Sequence, residues 1–229
     1  MSKYKKDDDI YFNYIKKIKK EKISNLDFIY QFPVYSGEVN LARFIFFYEM
    51  FKKVKDLSGH IADIGTWKGG SFFSFIKFVR LFEKNSQTLV YGFDWFKGMK
   101  PGINDDLSNV GKYATSYKGL KNLLKIQDLD KIGNVQKMDL TKKFEPFIKN
   151  NKWLRFKLAF IDCGTEKVLE STLPHIWSRL VQGGILILDH YNNPASPTES
   201  GILEKYIGHN KIHQLSYVRQ PTAYVVKKK

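Results

Sequence analysis

Two kinds of apolar pattern alternate along residues 60–190. Short continuous runs, HIADI (60–64), TLVYGF (88–93), KLAFID (157–162) and ILILDH (185–190), predict strands buried on both faces. Between them, apolar positions recur every three or four residues, which predicts helices packed on those strands. Such helices are read over SFFSFIKFVRLFEK (71–84), opened by Ser71, over SYKGLKNLLKIQ (116–127), and over EKVLESTLPHIWSRL (166–180), stopped by Gly183 and Gly184. NVQKMDL (134–140) reads as one more strand, with a short helical pattern after it. WFKGMKPGINDDLSN (95–109) reads as a glycine-rich loop. The tail predicts a helix over GILEKYIG (201–208) and two strands, HQLSYV (213–218) and AYVVKK (223–228).

Ahead of this alternation the pattern is less regular. IYFNYIKKIKKEK predicts a charged helical arm, and FPVYSGEV an extended or looped stretch held by Pro33. From Asn40 to Val54, Leu41, Phe44, Ile45, Tyr48, Phe51 and Val54 form a helical stripe. The expected division is an arm or lid over residues 1–40 and one domain over 41–229. Strands and helices that alternate with short connections predict a doubly wound α/β sheet.

Composition narrows the function classes. A chain of 229 residues, 43% apolar, is enough for one domain with a substantial core. A formal charge of +15 draws nucleic acid, anionic membranes or phosphorylated small molecules. The lysines are spread over Lys3–Lys22, Lys118–Lys157 and Lys227–Lys229, and Lys far outnumbers Arg, the usual reader of bases. That balance favours a solubilising surface or a small anionic substrate over nucleic acid. No apolar run approaches the roughly 20 residues that span a bilayer, so no membrane partner is expected. The start lacks an apolar signal core, and cytoplasmic residence is the expectation. Cys163, the single cysteine, excludes an internal disulfide and reads as a small buried residue. A homo-oligomer stays open.

The candidate chemistry sits where the predicted strands end. Asp63, Asp94, Asp162 and Asp189 each close a strand, and Asp139 lies inside the end of the third. In doubly wound sheets ligands bind outside the carboxyl ends of the strands, and four carboxylates on one rim are costly without a role. After Asp63 comes IGTWKGGS, in which Gly65, Gly69 and Gly70 permit a tight turn and close approach of a ligand. The spacing is G-x-x-x-G-G, not the dinucleotide fingerprint, and no Gly-Lys-Ser/Thr of a phosphate loop occurs. Asp94 can accept from both hydroxyls of a ribose, and Asp63 suits an ammonium better than a phosphate. S-adenosylmethionine carries both groups.

ADIGTWKGGS resembles the glycine-loop motif of class I S-adenosylmethionine-dependent methyltransferases, and among them the macrocin O-methyltransferase family of sugar methyltransferases. YGFDWFKGM resembles that family's second-strand motif. AFIDCGTEKVLESTLPHIWSRLVQGGILILDHY resembles its later acid strands, with the intervening helix and Gly-Gly turn. The resemblance spans roughly residues 34–193. It implies a Rossmann-like sheet, mostly parallel with an antiparallel C-terminal strand. Asp63, Gly65, Thr66, Trp67, Gly69 and Ser71 would face the methionine part of the cofactor, with Asp162 close by. Asp94 would lie at the ribose, and Met138 and Asp139 at the adenine, while Trp67 and Trp95 either pack around the adenine or fill the rim. It further implies a divalent cation, Mg²⁺, held by Asp162 and Asp189 beside the acceptor hydroxyl. Where the family has a further acid, this chain has His190, and CGTEK after Asp162 is longer than the family's link.

A sulfonium makes its methyl reactive, so an enzyme must align a hydroxyl and remove its proton. A cation on Asp162, Asp189 and His190 would lower the hydroxyl's pKa; alternatively His190 is the general base. Asp162 and His190 are the expected catalytic pair, and activity is expected to fail in chelator. The acceptor is expected to be small, hydroxylated and sugar-like. A nucleic-acid methyltransferase is the rival on the same fold, but IDCGTE lacks the Pro-Pro-aromatic motif those enzymes usually carry. A cofactor-binding protein without activity is the rival from another class.

Overall fold

In the computed structural model the described residues are 5–100, 102, 104–105, 107–193, 198–207 and 212–228. Pro101, Ile103 and Asp106 of the predicted glycine-rich loop, and Gly208 at the end of the last predicted helix, lie outside them. The strands are β1 (His60–Ile64), β2 (Val90–Asp94), β3 (Gly133–Lys137), β4 (Phe156–Ile161), β5 (Leu180–Leu188), β6 (Ile212–His213) and β7 (Ala223–Val226). They form one sheet in the order β3-β2-β1-β4-β5-β7-β6. β1 to β5 pair in parallel, and β7 runs antiparallel to both β5 and β6. The doubly wound, mostly parallel reading holds.

The helices are α1 (Lys5–Ile18), α2 (Asn25–Tyr30), α3 (Phe32–Tyr35), α4 (Glu38–Val54), α5 (Gly70–Phe82), α6 (Tyr117–Ile126), α7 (Leu140–Asn150), α8 (Glu166–Arg179) and α9 (Thr198–Ile207). Side chains alternate across the pleat and feed two cores. Ile61, Val90, Leu158, Phe160, Ile185 and Ile187 meet Phe46, Phe47 and Met50 of α4 and Phe72, Phe75 and Ile76 of α5 on one face. Ala62, Ile64, Phe93, Ala159 and Ile161 meet Phe144 of α7, Leu173 of α8 and Leu203 of α9 on the other. Strands that present apolar residues to both faces must be covered twice, which explains their continuous apolar runs.

Several expectations are corrected. Asp139 does not lie inside β3, which ends at Lys137; it caps α7, its carboxylate accepting from Thr141 N at 3.1 Å. Gly183 and Gly184 do not precede the strand but lie within β5. Gly183 takes φ +77°, and a Cβ on Gly184 would crowd Val181 O at 2.8 Å. FPVYSGEV is largely helical, as α3 and the start of α4, because Pro33 falls in the first turn, where its missing N–H costs nothing. Of HQLSYV only His213 lies in a strand, β6 (Ile212–His213). The stripe on α4 is also turned. Leu41 and Ile45 are exposed, and the buried side carries Phe46, Phe47, Met50, Phe51 and Val54. FIFFYEMF is apolar nearly all round, so its period alone does not choose a face.

Candidate active site

The strand order reverses between β1 and β4, and the carboxyl ends of those strands frame the cleft expected at such a point. Asp63 on β1 is fully buried. Ser71, at the head of α5, donates its hydroxyl to Asp63 Oδ1 at 2.6 Å. Asp63 Oδ2 is buried with no hydrogen-bond partner among the described residues. Burial pushes this carboxyl up to about 6, against the opposing pull of the Ser71 and Thr66 hydroxyls. A buried carboxylate oxygen without a donor is costly, and the vacancy fits a cationic donor.

The glycine loop is shaped by β4 as much as by any ligand. Gly65 has φ +86°, and a Cβ there would stand 1.9 Å from Asp162 O. Thr66 turns inward, 2% exposed, its hydroxyl donating to Asp63 O at 3.1 Å. Gly69 has φ +89°. A Cβ on Gly70, by contrast, would meet nothing within 4 Å. Trp67 and Phe96, both non-glycine residues at positive φ, aim their backbone N–H groups at Asp94. The distances are 2.8 Å to Oδ2 and 2.6 Å to Oδ1. Burial raises the Asp94 carboxyl, with the backbone donors of Phe96, Trp67 and Trp95 opposing. Three donors on two oxygens leave lone-pair capacity for one ligand hydroxyl. Met138 N donates to Asp94 O at 2.9 Å, which fixes Met138 beside this corner. Trp95 spends its indole N–H on Gly98 O.

The second half of the site follows β4 and β5. Asp162, Asp189 and His190 each offer a ligand atom, and the three atoms lie within 4.8 Å of one another. His190 Nε2 is 3.4 Å from Asp189 Oδ2, and His190 Nδ1 is 3.9 Å from Asp162 Oδ1. Asp189 is 3% exposed, whereas Asp162 is only partly covered. Cys163, beside Asp162, is half-buried against the core.

The reading from sequence missed Arg43. Its Nη1 lies 2.5 Å from Asp189 Oδ1 and its Nη2 3.1 Å from Asp162 Oδ2. The guanidinium stands over the rings of Phe47 and Phe160, at 5.1 and 5.3 Å from their centres. Burial works against the charge, but the attraction of Asp189 and Asp162 outweighs it and raises the Arg43 pKa. The available signal was helical spacing: Arg43 shares a face with Phe47, Met50 and Val54, the face that proves to be buried. A groove of about 800 Å³ lies elsewhere, at the amino ends of β1 and β2, lined by His60, Glu83, Thr88 and Trp153. None of the strand-end acids lines it.

A mostly parallel sheet in this order, with acids at the ends of four strands, defines a Rossmann-like methyltransferase fold. Residues 62–191 match the family model described as a methyltransferase domain, more than half of the chain, and the chain belongs to that family. It resembles the crystal structure of CalS11, a calicheamicin methyltransferase, with a TM-score of 0.82 and 18% identity over 93% of this chain and 90% of that one. The apo structure of CalS11, described as a TDP-rhamnose 3'-O-methyltransferase of calicheamicin biosynthesis, gives 0.74 at 18% identity over 93% and 92%. The O-methyltransferase NovP gives 0.64 at 16% identity, over 82% and 80%. No curated protein matches in sequence. No helix among the described residues is long and apolar enough to cross a membrane.

Proposed function

We propose that this chain transfers a methyl group from S-adenosylmethionine to a hydroxyl of a small, sugar-like acceptor. The observation that carries the reading is the convergence of Asp162, Asp189 and His190 beside the buried, half-partnered Asp63. When bound, S-adenosylmethionine supplies a methyl already activated on a sulfonium. The residues present fit it. Asp63 Oδ2 would receive the ammonium, and the remaining lone-pair capacity of Asp94 a ribose hydroxyl. The open space at Gly70 leaves room for the ligand backbone, and Trp67, Trp95 and Met138 would border the base.

In the metal-free alternative His190 takes the proton from the acceptor hydroxyl, with Asp189 orienting the imidazole from 3.4 Å. Mg²⁺ would be held by Asp162, Asp189 and His190, where it would lower the hydroxyl's pKa. Carboxylate oxygens suit Mg²⁺, and the imidazole extends the site to Mn²⁺. An acceptor carrying phosphate, as in the TDP-sugar named for CalS11, is supported by cations held near Asp94. Lys68 lies over Trp67, and Lys121 and Lys137 over Tyr117, whose ring also meets Phe96.

The test is transfer of labelled methyl from S-adenosylmethionine to a panel of nucleotide-sugars. Turnover should fall in chelator and return with millimolar Mg²⁺. His190→Ala should lower kcat by about 10²–10⁴, the usual range for a lost general base, while sparing cofactor affinity. Full turnover of His190→Ala in excess chelator would remove both proposed routes to the hydroxyl.

A further inference from the structure

The acid pair already has a cation. Two carboxylates whose oxygens come this close repel unless positive charge stands between them. Here the guanidinium fork of Arg43 gives one nitrogen to each acid, instead of both to one. It takes Asp189 Oδ1 and Asp162 Oδ2, leaving the other oxygen of each acid on the His190 side. Phe47 and Phe160, each 1% exposed, hold the guanidinium over their faces. It is therefore fixed by the core of α4 and β4, not swung in from solvent. Counting these groups alone, with His190 taken as neutral, two acids stand against one arginine, a formal charge of −1. A divalent ion entering this cluster meets half the negative charge the acids would otherwise present.

We propose that Arg43 is the resident counter-cation of the Asp162–Asp189 pair: it keeps the acids together in the absence of metal and, by its charge, holds divalent affinity low. The site would then respond to divalent ion over the range where that ion is abundant, and α4 would set the threshold. This rests on reading the cluster as the catalytic rim, but its test uses the metal alone and needs neither cofactor nor acceptor.

The measurement is Mn²⁺ binding to the full chain by calorimetry and by the electron paramagnetic resonance signal of free Mn²⁺, with thermal melts in parallel. Arg43→Met and Arg43→Gln remove the charge; Arg43→Lys retains it. Removing one positive charge within a few ångströms of a dication should tighten Mn²⁺ binding by roughly tenfold or more in both uncharged variants. Their melting temperatures should lie below wild type without metal and recover on adding Mn²⁺. Arg43→Lys should keep the weak wild-type affinity. Unchanged or weaker Mn²⁺ binding in both uncharged variants would overturn the proposal. So would failure of both to fold in saturating Mn²⁺, since the ion is expected to replace the guanidinium. Absence of methyl transfer together with the expected Mn²⁺ result would instead overturn the catalytic reading and leave the role of Arg43 standing.

Discussion

At Asp63 the proposed ligand contact and the stability of the fold would depend on the same ionisation. An unfolded aspartate titrates near 3.9, and burial carries the folded one up to about 6. Between those values the native state holds more protons than the unfolded chain. The stabilisation from protonated Asp63 is therefore complete below about pH 4 and lost as pH rises through about 6. Two pK units correspond to at most about 3 kcal/mol. Asp63→Asn should remove this slope, so the stability of the variant relative to wild type should climb between pH 4 and 7. Parallel curves from denaturant titrations at each pH would contradict the assignment. The same ionisation should make S-adenosylhomocysteine bind more tightly to wild type at pH 7 than at pH 5. Asp63 could be picked out in the sequence as a strand-end acid, but its orphan oxygen could not, because the vacancy depends on where Ser71 and Thr66 point.

At the scale of elements, strands were easier to read than caps and faces. β1, β2 and β4 announce themselves through apolar runs bounded by glycine or acid, since both their faces are buried. α8 is also legible despite Pro174, because Leu169, Leu173 and Ile176 still face the core. The inward side of α4 was not legible, since apolar residues surround it and only its partners choose the side. Arg43 was hidden with it: its acids lie 119 and 146 residues away, beyond any local pattern. Asp139 was assigned to the wrong element by two residues. As the N-cap of α7 it accepts from both the backbone and the hydroxyl of Thr141. Asp139→Ala should cost about 1 kcal/mol of stability, as caps usually do, while leaving S-adenosylhomocysteine affinity within about twofold. A large loss of affinity with stability intact would return Asp139 to the adenine border.

Across the whole molecule the two ends of the sheet are built differently. At the amino ends, Lys157 is 1% exposed and paired with Glu83 at 2.8 Å, with Thr88 at 3.1 Å, so its charge is spent within the fold. At the carboxyl ends Asp63 Oδ2 has no hydrogen-bond partner among the described residues, and Asp162, Asp189 and His190 converge. That asymmetry is what the proposed ligand site requires, at the point where the strand order reverses. The central claim is that this rim receives S-adenosylmethionine with Asp94 at the ribose. Titration calorimetry of S-adenosylhomocysteine into wild type and Asp94→Ala tests it most directly. Wild type should bind at one site per chain, and the variant should lose about 1.5–3 kcal/mol, the range for a hydrogen bond to a charged group. Equal binding to both proteins, or none to wild type, would contradict the account.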